Sequence, residues 1–271
     1  MHRQYVHLGS RTIAYFDSAP GATKAQVLVL IHAFPLGAGM WEGQSRALPP
    51  GWRLIAPDLR GFGGSTLEVS DDTPAIDDYA ADVVDLLTEL HTTSAVIGGC
   101  SMGGYAALAV ARRAKPLVRA LILIDTRAGA DTSEGRANRR AMLAVVDREG
   151  PAGAARDMMP KLLGKTTFNE RPDVEPVVRR LAKQQSAVAV KGAIQRMMSR
   201  PDSSETIQNL RVPLLIVVGE EDTLTPPEEA RQMAALNPNA ELVVLPRVGH
   251  LPSLEQPKAF NETLHVFLSA L

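Results

Sequence analysis

A chain of 271 residues with 45% hydrophobic content can bury one large core, which argues against disorder. Its formal net charge of −1, with both signs spread along the chain and no basic stripe, gives no sign of a nucleic-acid partner. The single cysteine, Cys100, excludes an internal disulfide, supplies too little for a thiolate metal site, and points to a reducing compartment.

The opening MHRQYVHLGS lacks the apolar centre of a signal peptide, and the longest apolar runs are too short to cross a bilayer. The expectation is a cytoplasmic protein with no membrane partner, acting on a small neutral molecule. Whether copies of it associate into a homo-oligomer is left open.

In chain order, RQYVHL and RTIAYF flank Gly9-Ser10, the pattern of two short strands joined by a tight turn. The texture then changes to short apolar runs without alternation, as in strands covered on both faces: residues 27–31 (VLVLI), 53–56 (RLIA), 95–97 (AVI), 120–124 (ALILI), 214–218 (LLIVV) and 242–245 (LVVL). Helical patterns over residues 77–90, 103–113, 227–236 and 256–268 separate them. In the last, Phe260, Leu264, Phe267 and Leu268 recur at helical spacing and mark one buried face. Such alternation implies a mostly parallel sheet wrapped by helices, with right-handed crossovers.

One segment interrupts it. From about residue 126 to 208 no strand pattern occurs, and patches such as RRAMLAVV and VVRRLAKQ read as helix. A loop of that length would be exceptional. The expected organisation is therefore a core of residues 1–126 and 209–271, with residues 127–208 inserted as a helical cap.

Polar residues cluster just after the runs. His32-Ala33-Phe34-Pro35 follows the first, Asp58 to Ser65 the second, Ser101 the third, Asp125 the fourth, Asp222 the fifth and His250 the last. Ligands of open parallel sheets sit outside the carboxyl ends of the strands. Residues 98–104, GGCSMGG, surround one serine with four glycines, although glycine loses the most backbone entropy on folding. Gly99-Cys100-Ser101-Met102-Gly103 fits GxSxG, a strand-to-helix turn sharp enough to strain the serine backbone and present its oxygen, with the glycines clearing room for the turn.

HAFP, PDLRGFGGS, GCSMGG, GEEDTLTPP and GHLPSLEQP, in that order, resemble the α/β-hydrolase family over nearly the whole chain. The flavour of HAFPLGAGMW and the helical cap is similar to its small serine esterases, enol-lactonases and cofactor-free haloperoxidase-like members. The resemblance implies an eight-stranded, mostly parallel sheet with the helical cap after the sixth strand. It also implies a serine hydrolase that cleaves small carboxylic esters or lactones through an acyl-enzyme, with no metal or organic cofactor. Perhydrolysis, with peroxide replacing water, and a non-catalytic receptor use of the fold are the alternatives. Aspartate at the elbow would suit dehalogenation or epoxide opening; position 101 is serine.

Ser101 is the expected nucleophile and needs an imidazole to take its proton. His2 and His7 lie in the initial hairpin, His91 at a helix end and His265 within the last helix, leaving His250 as the base. His32 precedes the serine, and the resemblance makes it a brace for the oxyanion loop. Asp125 and Asp222 both fall between Ser101 and His250; the resemblance favours Asp222, on the loop after LLIVV. It likewise places the oxyanion hole at the backbone amides of Phe34 and Met102. Ala33 stands where many relatives carry glycine, narrowing the dihedrals of a tight loop.

Other residues have bland readings. Cys100 reads as a buried filler, Trp41 as packing, Glu220 and Glu221 as solvated turn residues, and Asp58, Arg60 and Ser65 as loop supports. Met142, Met158, Met159, Met197 and Met198 suit cap packing or an apolar acyl pocket. Arg127, Arg136 and Arg139 suit solvated helix faces or a substrate carboxylate.

Overall fold

The computed structural model describes residues 2–67 and 73–271. Among the described residues eight strands form: β1 (His2–Leu8), β2 (Arg11–Asp17), β3 (Gln26–Ile31), β4 (Trp52–Pro57), β5 (Ala95–Cys100), β6 (Val118–Ile124), β7 (Leu214–Gly219) and β8 (Ala240–Leu245). They make one sheet in the order β1-β2-β4-β3-β5-β6-β7-β8. β1 and β2, and β2 and β4, pair antiparallel, and every other pair is parallel.

The unbroken apolar runs follow from burial on both faces. In β3, Val27, Val29 and Ile31 join one hydrophobic cluster while Leu28 and Leu30 join the other. The first cluster packs under α1 (Ile76–Glu89) and α2 (Met102–Arg113), and the second under α10 (Pro257–Ser269), whose Phe260, Leu264, Phe267 and Leu268 are all buried. The run at residues 242–245 departs from expectation. β8 is the edge strand, so Leu242 and Val243 are half-buried and Val244 is exposed.

β5 is longer than its apolar letters suggest, because Gly98 and Gly99 continue it in register with Leu30 and Ile31 on one side and Ile122 and Leu123 on the other. A Cβ on Gly98 would come within 2.8 Å of Leu30 Cδ2. Glycine there lets neighbouring side chains close over the strand.

Between β6 and β7 lie five helices: α3 (Ser133–Leu162), α4 (Lys165–Glu170), α5 (Val174–Lys183), α6 (Ala187–Ser199) and α7 (Ser204–Gln208). α3 starts where Thr132 Oγ1 accepts the Gly135 amide at 3.0 Å, and it is broken at Gly150, whose φ is 69° just before Pro151. α6 is capped likewise by Ser186, whose Oγ accepts the Ala189 amide at 3.1 Å. Two further helices, α8 (Pro227–Ala235) and α9 (Pro252–Glu255), follow β7 and β8 and carry proline in the first turn, where its missing N–H costs nothing. Among the described residues no helix is long and apolar enough to cross a membrane.

Candidate active site

The turn from β5 into α2 holds Ser101 at φ 55°, ψ −114°, in a region that side chains disfavour. Its backbone is pinned on three sides. The Ser101 amide donates to Ile124 O at 2.9 Å, and its carbonyl accepts the Gly104 amide at 2.9 Å and Thr126 Oγ1 at 2.8 Å. The flanking glycines are sterically required: a Cβ on Gly99 would overlap the Gly103 carbonyl, and one on Gly103 would overlap the Ile31 carbonyl. This puts the start of α2 against the end of β3. Ser101 itself is half-buried, and its hydroxyl has no hydrogen-bond partner among the described residues.

At the end of β7, Asp222 collects a ring of donors. Its Oδ1 accepts the Leu224 and Thr225 amides at 2.8 and 3.1 Å, and its Oδ2 accepts Thr225 Oγ1 at 2.6 Å and His250 Nδ1 at 2.8 Å. Burial alone would raise the Asp222 pKa, but the imidazole beside it and these hydrogen bonds outweigh that and hold the carboxyl below its ordinary value. An ionised Asp222 only accepts, so Nδ1 of His250 carries the proton. In the neutral imidazole Nε2 then keeps its lone pair; it is buried and has no hydrogen-bond partner among the described residues.

No hydrogen bond joins Ser101 Oγ to His250 Nε2, although the two loops touch: Cys100 Sγ lies 3.5 Å from the His250 carbonyl oxygen. Such bonds are often long in the absence of substrate and tighten when it binds. Cys100 is fully buried, and that burial pushes its thiol well up, so it sits as a neutral filler.

Asp125 has φ 42° and is buried behind the pair. Its Oδ1 accepts the Gly219 amide at 2.8 Å, and its carboxyl also lies within hydrogen-bond reach of Asp222. Burial, reinforced by the charge of Asp222, pushes its pKa well up and favours its protonated form beside Asp222. One ligand atom from each of Asp125, Asp222 and His250 lies within 4.8 Å of the others. Asp222 and His250 are joined by the 2.8 Å hydrogen bond, with a proton between the two atoms.

The loop after β3 is organised by His32. Its Nδ1 donates to Ala33 O at 3.0 Å and its Nε2 accepts the Leu59 amide at 3.1 Å, which fixes a neutral tautomer. Desolvation lowers its pKa accordingly. Ala33 donates its amide to Met40 Sδ at 3.3 Å and keeps a negative φ, so its methyl strains nothing. The Phe34 amide has no acceptor among the described residues, and Met102, the first residue of α2, has no intrahelical one.

Asp58, Ser65 and Arg60 brace their loop: Asp58 accepts the Ala38 and Gly64 amides at 2.9 and 3.2 Å, Ser65 donates to Asp58 O at 2.6 Å, and Arg60 forks onto Asp82 at 2.7 Å. Trp41 is fully buried and stacks on Phe260. The three arginines after β6 are engaged by their own chain. Arg127 meets Leu224 O and Glu229, Arg136 donates to Asp131 O at 2.7 Å, and Arg139 pairs with Asp131 at 3.1 Å. Met159 and Met197 are buried, and Met142, Met158 and Met198 pack against the core at its margin. Thr225 and Thr126, which hold the acid and the elbow, carry no sequence signal beyond lying in those loops. Glu221, expected in solvent, accepts both the amide and the hydroxyl of Thr166 at 2.8 and 2.6 Å.

The profile of the alpha/beta hydrolase family matches residues 28–263. A solved thermophilic esterase from Thermogutta terrifontis is 35% identical, superposes with a TM-score of 0.91, and is covered over 99% of its chain by 100% of this one. The dihydrolipoyllysine-residue acetyltransferase component of the acetoin cleaving system of Pseudomonas putida is 30% identical over 98% of this chain and 69% of that protein. A pimeloyl-[acyl-carrier protein] methyl ester esterase of Nitrosospira multiformis is 27% identical over 86% of this chain and 90% of that protein.

Proposed function

The chain belongs to the alpha/beta hydrolase family, and from that premise we propose that it is a serine hydrolase of small carboxylic esters or lactones. Ser101 is the nucleophile, His250 its general base and Asp222 the carboxylate that orients the imidazole. As Ser101 Oγ bonds to the acyl carbon, its proton passes to His250 Nε2, and the amides of Phe34 and Met102 take up the charge on the carbonyl oxygen. The imidazolium then gives its proton to the departing alcohol, leaving an acyl-enzyme. Water, deprotonated by the same nitrogen, releases the acid and restores the serine. Asp222 stays ionised throughout.

The observation that carries this reading is the His250 Nδ1–Asp222 hydrogen bond at 2.8 Å, which in the neutral imidazole leaves the buried Nε2 as the proton acceptor. Residues 127–208 act as a cap over the carboxyl ends of the strands, on a core of residues 1–126 and 209–271. Similarity to an esterase at 35% identity supports ester hydrolysis.

A fluorophosphonate probe tests the assignment. Labelling of the folded protein is expected, absent in Ser101→Ala and strongly reduced in His250→Ala, with ester turnover falling about 10⁴-fold or more in each. Folded protein that resists the probe would favour a ligand-binding role. On p-nitrophenyl esters of graded length, turnover is expected to fall beyond acyl chains of about six carbons, the size a small closed pocket admits.

A further inference from the structure

Two carboxylates flank the proposed acid and base in sequence: Glu221 precedes Asp222, and Glu255 follows His250 by five positions. Neither hydrogen-bonds the imidazole, whose Nδ1 partner is Asp222. Both reach into the same stretch of the inserted helices, residues 164–167, the N-cap and first turn of α4.

Glu255 is fully buried, forms no ion pair among the described residues, and takes four donors on its two oxygens. Oε1 accepts the Leu251 amide at 2.9 Å. Oε2 accepts the Gly249 amide at 3.0 Å, the Gly164 amide at 2.8 Å and Thr167 Oγ1 at 2.6 Å. The amides on both sides of His250 are therefore fixed by one side chain, which the same oxygen ties to the insertion. Glu221 holds Thr166, between Gly164 and Thr167, through its amide and hydroxyl. The backbones also meet directly: a Cβ on Gly249 would overlap the Gly164 amide, and one on Gly164 would come within 2.8 Å of the Gly249 amide.

A buried carboxylate without a cation is costly, and an apolar residue would fill the space without that penalty. What an apolar residue lacks is the capacity to gather donors from two segments onto one atom, through short charge-assisted bonds. We propose that residues 164–167 are a positioning element for the Asp222–His250 pair, clamped by Glu221 and Glu255 so that the insertion and the base share one frame. This rests on the reading of Asp222 and His250 as acid and base. Thr166, Thr167 and Glu255 are positioning residues that act through the backbone of the two loops.

The test uses the full chain in three forms: Glu255→Gln, the double variant Thr166→Val with Thr167→Val, and Thr167→Ser as the conservative rescue. A shift of the base by about 1 Å can cost about 100-fold in rate, so kcat on p-nitrophenyl acetate is expected to fall about 10- to 100-fold in the first two. KM should stay within about threefold, and Thr167→Ser should retain wild-type kcat. Proton NMR gives a substrate-free readout: the His250 Nδ1–H resonance should broaden or move in the first two variants and not in the rescue. Folded variants with wild-type kcat and an unmoved resonance would overturn the proposal, as would a loss carried by KM alone. If Glu255→Gln fails to fold, the threonine variant decides by itself. If the wild-type protein hydrolyses no ester, the hydrolase reading fails, and the imidazole resonance still decides this one.

Discussion

Asp125 and Asp222 stand at the ends of neighbouring strands, both between Ser101 and His250 in sequence, and their environments shift their pKa values in opposite directions. Asp222 accepts four hydrogen bonds on two oxygens, which favour its ionised form; Asp125 accepts one backbone amide and faces Asp222, which favours its protonated form. The sign of the linkage follows. Above the unfolded-chain pKa of about 3.9, the unfolded state releases the Asp125 proton while the folded state keeps it, so this group lowers stability as pH rises. Asp222 works in the other direction, its contribution present above that value and lost as pH falls through its lower folded value. Asp125→Asn removes only the first effect. Its urea midpoint relative to wild type is expected to grow more favourable from pH 4 to pH 7, and a difference flat with pH would count against a neutral Asp125. Chain order could not separate these two acids, because both satisfy it. The distinction lies in which carboxylate meets Nδ1, a contact between loops 28 residues apart in sequence.

At the scale of elements, the elbow shows how local spelling and long-range packing divide the work. Glycine to alanine in a helix ordinarily stabilises by about 1 kcal/mol. At Gly103 the new methyl would overlap the Ile31 carbonyl and sit 2.8 Å from the His32 carbonyl oxygen, pushing α2 away from β3. Overpacking of this kind costs about 1–3 kcal/mol, so Gly103→Ala is expected to lower the thermal midpoint and slow probe labelling of Ser101. Gly43, whose added Cβ meets nothing within 4 Å, is the control, and Gly43→Ala should change stability by no more than about 0.5 kcal/mol. The GxSxG spacing was legible because the residues that make the turn are adjacent in the chain. Gly99 is made obligatory within the turn itself, by the Gly103 carbonyl, whereas the partners of Gly103 and Gly104 lie elsewhere, at Ile31 on β3 and at Thr126 just after β6.

Across the whole molecule, the inserted helices are joined to the sheet layer by a few specific polar links as well as by apolar packing. Arg196 of α6 is buried, donates to Asp78 of α1 at 2.9 Å and to Gly192 O at 3.2 Å, and lies over the Tyr79 ring. Arg196→Ala is expected to destabilise by about 1.5–3 kcal/mol, the range for a hydrogen bond to a charged group, read as a lower urea midpoint. A shift under about 0.5 kcal/mol would mean that the apolar contacts of α6 hold the insertion unaided. The helical nature of this segment could be read from its composition and its lack of strand patterns. Its docking could not, since Arg196 and Asp78 are 118 positions apart.

The sequence by itself determined the alternation of strands and helices, the ends of the strands where chemistry collects, and a serine set among glycines at one of them. These are properties of neighbouring residues, and the period of a helix or strand writes them into a short window. Only the tertiary structure decided that β8 is an edge, that Asp222 and not Asp125 meets the imidazole, and that Glu221 and Glu255 grip residues 164–167. Each depends on distances between segments far apart in the chain, and burial and hydrogen-bond partners exist only after those segments have packed.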